Sequence, residues 1–420
     1  MKKIHLNIIF LISVMLLIMS CSTKKIDNVT AKDILGNSNY KSICYGGFRQ
    51  NTREIVPTVQ EIKDDLKILA ALDFKIIRTY NVHIKEIDNL LIAIRELKAA
   101  DSSFEMYIML GAWIDCKNAW TNEPPIHYLE SERNEFEINR AVALANQYPD
   151  IIKIISVGNE AMVKWATGYY VTPNIILKWV KHLQQLKKEN KLPSDIWITS
   201  SDNFASWGGG TTDYHTPDLK ALMQEVDYIS MHTYPMHDTH YNPVFWGTID
   251  KESDLDKKAQ LNKVMERARD YAINQYQSVK NYMNSLGIQK PIHIGETGWA
   301  THSNEQYGNN GSKATDEYKA ALYYKLITNW CKKENISCFY FEAFDENWKD
   351  ANNPEGSENH FGLFTIDGKA KYILWEEVEK PIFKKLHRNG NPIVKTFQGN
   401  EHLLLNDVLL PSETEKVISY

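Results

Sequence analysis

The chain predicts an α/β protein, a single (β/α)8 barrel of the TIM type followed by a short C-terminal extension. Two observations carry this expectation. Strand-like and helix-like runs alternate eight times along the 420 residues, which is the arithmetic of a parallel barrel wrapped in helices. The fourth and seventh apolar strands each run through a glycine into a glutamate, Glu160 and Glu296. A barrel would bring those two strand ends together on one face. A doubly wound open sheet is the structural rival. No G-x-G-x-x-G follows the first strand, however, and Gly208-Gly209-Gly210 lacks the Lys-Ser/Thr of a phosphate loop.

In chain order, Lys2 and Lys3 precede an apolar run over 4–19 that is too short for a comfortable membrane span, so 1–20 reads as a signal peptide. Ile18-Met19-Ser20-Cys21 resembles the lipobox of bacterial lipoproteins, where the cysteine is lipidated and becomes the first mature residue. An ordinary cleaved signal is the alternative; both imply export. The expected location is a bacterial membrane, outer membrane, cell surface or periplasm. Residues 21–40 are polar and lysine-bearing and read as a tether. The barrel is expected over 41–388, with strands at 42–46, 75–79, 105–110, 152–157, 197–200, 226–232, 292–295 and 338–342. Helices are expected at 58–71, 84–100, 132–147, 172–190, 218–224, 254–286, 315–334 and 372–386. Thr172-Pro173 supplies an N-cap and a first-turn proline, and Asp254 opens a long charged helix. The extension, 389–420, is expected to pack on the barrel.

The composition is globular, 43% hydrophobic and 24% charged, and the net charge of −5 gives no reason to expect a nucleic-acid partner. Cys44, Cys116, Cys331 and Cys338 show no CxxC rhythm and read as small buried residues, with a disulfide as the alternative. His232, His237 and His240 fall in one loop, but the spacing matches no zinc pattern, so no metal is expected.

The chemistry rests on the two glutamates. A glutamate fixed at the end of an apolar strand needs a reason, because burial penalises its charge. Two of them on one barrel face suit glycoside hydrolysis, which uses one carboxyl to protonate the leaving oxygen and another to attack or to activate water. Aromatic residues fit the same reading, since pyranose C–H faces stack on rings. Trp113, Trp120, Trp165, Trp207, Trp246, Trp299 and Trp348 all fall after predicted strands, as do Tyr45, Tyr80 and Tyr234. Arg78 ends the second strand and is a candidate carboxylate partner; His232 ends the sixth and is expected to face the cleft.

Ser156-Val157-Gly158-Asn159-Glu160 and Ile294-Gly295-Glu296-Thr297-Gly298-Trp299 resemble the two signature motifs of glycoside hydrolase family 17, the β-1,3-glucanases. The resemblance extends to Cys44-Tyr45-Gly46, to Ile77-Arg78-Thr79-Tyr80, to Phe344-Asp345-Glu346-Asn347-Trp348-Lys349 and to His360-Phe361-Gly362-Leu363. It implies a retaining hydrolase of laminarin-like β-1,3-glucan; endo action, a monomeric state and no cofactor are expected beside it. It further implies Glu160 as general acid/base and Glu296 as nucleophile. Asn159 would bond the sugar 2-hydroxyl, and Glu346 and Lys349 would stand beside the glutamates. Trp299 and Trp348 would join Trp113, Tyr45, Arg78, Tyr80, His232 and Tyr234 as substrate-binding residues. Ala300 stands where the family commonly has proline, and the loops after strands three, five and six are lengthened. A transglycosylase using the same glutamates, and a non-catalytic glycan-binding lipoprotein, are the alternatives.

Overall fold

The computed structural model describes residues 29–414 and 417–418. The expected signal peptide and Cys21 lie outside them. Eight parallel strands close into a barrel: β1 Lys41–Cys44, β2 Phe74–Arg78, β3 Tyr107–Ala112, β4 Ile152–Asn159, β5 Trp197–Asn203, β6 Ile229–His232, β7 Ile292–Gly298 and β8 Cys338–Phe341. Each pairs with the next in sequence, and β8 returns to β1 through Ser42 opposite Phe339. Both faces of such strands are covered, by side chains inside and helices outside, which is why they are apolar runs rather than alternating ones. β4 is the clearest case, buried at every position except its last.

The outer helices are α1 Val59–Ala71, α2 Glu86–Ala100, α3 Arg133–Gln147, α4 Pro173–Lys188, α5 Pro217–Glu225, α6 Lys257–Ser285 and α7 Glu317–Lys333. Their starts follow from local chemistry. Thr58 and Glu61 form a reciprocal capping box on α1, Asp256 accepts from Ala259 N on α6, and Asp316 accepts from Lys319 N on α7.

Two expectations fail. The eighth helix, over 372–386, is instead three 3-10 turns, Tyr372–Leu374, Glu377–Glu379 and Pro381–Lys385. Pro381 has no N–H to donate and drives Lys380 into an extended conformation (ψ 141°). The chain then turns into a two-residue hairpin, His387–Arg388 against Asn391–Pro392. Arg388 is fully buried there, donating to Asp65 of α1 at 3.0 Å with its guanidinium 4.0 Å from the Phe344 ring centroid. The tether also ends earlier than expected. Thr30 and Asp33 cap a helical turn, Ala31–Ile34, whose Ala31 and Ile34 are fully buried. Gly36 N donates to Ser337 Oγ at 2.8 Å, and a Cβ at Gly36 would lie 2.5 Å from Asn335 O. Residues 30–36 therefore pack beside the start of β8 as part of the folded body. At the other end, Leu404 and Val408 of the extension form a small core with Leu261, Tyr318 and Trp375.

Candidate active site

Glu160 and Glu296 are brought to one face of the barrel. β4 ends abruptly: Gly158 takes φ 81° and Glu160 itself φ 43°. Positive φ is uncommon away from glycine, and such backbone is retained where a side chain must be aimed. Glu160 N donates to Ser201 O of β5 at 2.9 Å, which fixes the turn. The Glu160 carboxylate meets one side-chain partner, His232 Nδ1, at 3.1 Å. Behind it the ring is held by Ser201 Oγ at 2.7 Å, and Ser201 by Ser230 Oγ at 2.8 Å. Asp202, at the end of β5, accepts from Met162 N at 2.7 Å and so anchors the chain just past Glu160. Burial first, and then the nearby Glu160 charge, push the Asp202 carboxyl up to about 7.

Glu296 lies within β7 and is gripped from three sides. Arg78, 1% exposed at the end of β2, makes an ion pair with Oε2 and donates to Gly295 O at 3.1 Å. The other arm of its fork donates to Asn159 Oδ1, tying the two motif regions together. Tyr80 donates to Oε2 at 3.1 Å and Tyr234 to Oε1 at 2.5 Å. Burial alone would push this carboxyl up. The charges of His232 and Arg78, the Tyr234 hydrogen bond and the charge of Lys349 prevail and hold it down at about 2. Gly295 is required before it, since a Cβ would fall 2.0 Å from Ser230 Oγ.

The wall beyond β8 holds a third acidic group. Lys349 Nζ stands 3.3 Å from Glu342 and 3.2 Å from Glu346, above the Phe341 ring. Gly46 makes room for Glu346, whose Oε1 would be 1.7 Å from a Cβ there. Glu342 is 1% exposed, with Lys349 as its ion-pair partner and Glu346 as its carboxyl neighbour. Burial and then the Glu346 charge push it well above the usual carboxylate range. The sequence reading passed over Glu342, although it ends an apolar strand as Glu160 and Glu296 do.

A cavity of about 700 Å³ opens over these groups, with Tyr80, Asn159, Glu296, Glu346, Trp348 and Lys349 in its walls and Trp113 and Trp120 at the β3 side. Three expected contacts do not reach it as expected. Trp299 is 1% exposed, packed between Trp246 and Tyr323, with Nε1 donating to Ala314 O at 2.9 Å; it is core. His232 is fully buried and backs Glu160 instead of facing the cleft. The Tyr45 ring touches the cavity, but its hydroxyl is committed to Asp65 at 3.0 Å. Trp207 and Trp246 are likewise buried, whereas Trp165 is exposed. His237 stacks on Tyr234, and Cys44, Cys116, Cys331 and Cys338 are free thiols.

The model of the BtgE/BtgC glycoside hydrolase domain matches residues 42–362, essentially the whole barrel. The chain belongs to that glycoside hydrolase family. A solved structure of an endo-laminarinase from Formosa Hel1_33_131 is 60% identical, with TM-score 0.92 over 93% of this chain and all of that one. A glucan 1,3-beta-glucosidase from Arthroderma benhamiae is 25% identical over 63% of this chain and 70% of its own length. The structure of a glycoside hydrolase family 17 β-1,3-glucanosyltransferase from Rhizomucor miehei, at 21% identity and TM-score 0.54 over 80% of this chain and 96% of that one, shares the fold. In this glycoside hydrolase, then, an ionised carboxylate in an aromatic-walled cleft stands on the same barrel face as a more open, histidine-backed one that directly follows Asn159 of the cleft wall. That pairing suits the two-carboxyl chemistry of glycosidic bond cleavage.

Proposed function

We propose that the protein is an endo-acting β-1,3-glucanase of glycoside hydrolase family 17, cleaving laminarin-like glucan by double displacement. The observation that carries the roles is the difference in setting between the two glutamates. Glu296, held ionised by the charges of His232 and Arg78 and by the Tyr234 hydrogen bond, is suited to attack the anomeric carbon and to leave as a carboxylate. Glu160, in the more open position beside His232, protonates the departing oxygen and then takes a proton from water. Asn159, oriented by Arg78, is placed to hold the 2-hydroxyl of the reacting sugar, where a hydrogen bond strengthens as the oxocarbenium-like transition state forms.

Linear β-1,3-glucan, a 1,4-glucan and a branched β-1,3-glucan, each incubated with the protein and the products sized, test the reading. Rapid shortening of the linear 1,3-chain to a mixture of oligosaccharides, with the first product in the β configuration, is the expected result. Release of single glucose units only, transfer products in place of hydrolysis, or inversion would overturn the corresponding part.

We further propose that the enzyme acts as a monomer, exported and held at a bacterial membrane through Cys21. Lys2, Lys3, the apolar run and the Ile18-Met19-Ser20-Cys21 sequence support this. Cys21→Ser should move the protein out of the detergent-extracted membrane fraction; a variant still requiring detergent would contradict the anchor.

A further inference from the structure

The connection from β3 to α3 carries an insertion that the catalytic chemistry does not use. It forms a short hairpin, Cys116–Lys117 against Ile126–Glu130. Between these strands sits Trp120, 60% exposed and at φ 63°, a conformation that a bulky residue rarely adopts. Its ring is nonetheless fixed. Trp120 Nε1 donates to Asp115 Oδ2 at 3.1 Å, and the indole stacks on Tyr169 at 5.1 Å with 20° between planes. Trp113 packs against the same tyrosine at 5.6 Å. Tyr169 belongs to the loop that follows Glu160, and the two loops are stitched together by Cys116 N donating to Tyr169 O and Thr172 N to His127 O.

A large apolar ring held rigidly in water, on strained backbone, contributes little to folding. It does suit a ligand with a flat apolar face. The cavity points the same way. Asp115 is 2% exposed, lines the cavity beside Trp113 and Trp120, and fixes the Trp120 indole through Oδ2. The carboxylate therefore presets the ring's orientation against the cavity before any ligand arrives. A fixed aromatic surface on the wall of a cavity is what the apolar face of a pyranose ring stacks on. The same cavity runs on to Asn159 and Glu296 without a break.

We propose that Trp113, Trp120 and Asp115 form a remote glucosyl subsite, which grips the glucan chain away from the bond being cut and makes the enzyme prefer long chains. This rests on the β-1,3-glucanase reading above. The gain comes from the sugar units that only a longer chain can place there, so the subsite works through binding and not through the chemical step.

The test measures kcat/KM on laminaritriose and laminarihexaose for the wild type, Trp120→Ala, Trp120→Phe and Asp115→Asn. Trp120 is exposed, so its loss should leave the fold intact. The hexaose-to-triose ratio should fall roughly tenfold in Trp120→Ala, in keeping with about 1.4 kcal/mol of lost stacking. Trp120→Phe should recover part of it, and Asp115→Asn should lower it less. In a catalytically disabled Glu296→Ala background, Trp120→Ala should weaken hexaose binding by a similar factor, read by calorimetry. An unchanged ratio, or equal losses on both oligosaccharides, overturns the subsite while leaving the glucanase reading intact. A wild-type protein inactive on both oligosaccharides and on linear glucan overturns the two together.

Discussion

Glu160 leaves β4 on backbone at φ 43°, with a quarter of its side chain open to solvent and one ring nitrogen beside it. Glu296 sits inside β7, 9% exposed, with an arginine and two tyrosines on its two oxygens. Both are glutamates one or two residues past a glycine on the same barrel face. What differs is the number of donors that favour the charged form, and that number sets the chemistry each can perform. A carboxylate saturated with donors stays ionised and is a good leaving group from the covalent intermediate. One that is a quarter open, with a single histidine beside it, has room for a leaving oxygen and then for water. Donors and exposure therefore separate two residues that the chain presents in nearly the same way.

The largest break in this comparison is removal of the nucleophile. Glu296→Ala should reduce hydrolysis of glucan by about 10⁴-fold or more, because the covalent route is lost and not merely slowed. Added azide should then attack from the vacated face and give an α-glycosyl azide, one inversion having occurred. Glu160→Ala should cost roughly 10²–10⁴-fold on glucan. It should nonetheless keep much of the first step on an activated aryl glycoside, whose leaving group needs no proton. With this variant azide should yield the β-product. Azide products of the reverse configuration, read by NMR, would mean that the two roles are exchanged.

Arg78→Lys probes the bridge between the two regions. Lysine keeps the charge but has no planar fork, so it cannot pair with Glu296 and orient Asn159 at once. A loss of roughly 10–100-fold in kcat with a smaller change in KM is expected, since both contacts matter most in the transition state. Recovery of wild-type kcat would show that only the charge of Arg78 is used.

The outline of this comparison was legible in the sequence. Eight apolar strands and the two glycine–glutamate steps were enough to predict a barrel and its pair of carboxyls, because period, burial and strand ends are local properties. What escaped was non-local. Position after β7 suggested that Trp299 contacts sugar, but whether a side chain at a strand end turns inward or toward the cleft depends on neighbours such as Trp246 and Tyr323, distant in sequence. His232 was placed in the cleft for the same reason and instead backs Glu160. Glu342 carried the right signal and was passed over, since its partners Glu346 and Lys349 become partners only once the β8 loop folds back. The expected eighth helix had helical residues on both sides of Pro381, and the proline prevailed.

The smallest and sharpest test removes a single donor from Glu296 without touching its charge. Tyr234→Phe keeps the ring, with its edge-on contact to Phe341, and deletes the hydroxyl that donates to Oε1. A hydrogen bond to a charged group is worth about 1.5–3 kcal/mol, which corresponds to roughly one to two pK units. The bond stabilises the ionised form, so its loss must raise the Glu296 pKa from about 2 toward the ordinary carboxylate value. Attack requires the ionised form. The acid limb of kcat/KM should therefore move to higher pH by about one unit or more, while activity near neutrality changes by only a fewfold. The sign also carries over to stability. A carboxyl with a lowered folded-state pKa adds stability above its unfolded value, and this is lost as pH falls through the folded one. Tyr234→Phe should accordingly unfold at a higher pH than the wild type on acid titration. An acid limb that stays in place, with activity lost evenly at all pH values, would mean that Tyr234 positions substrate and does not tune the nucleophile.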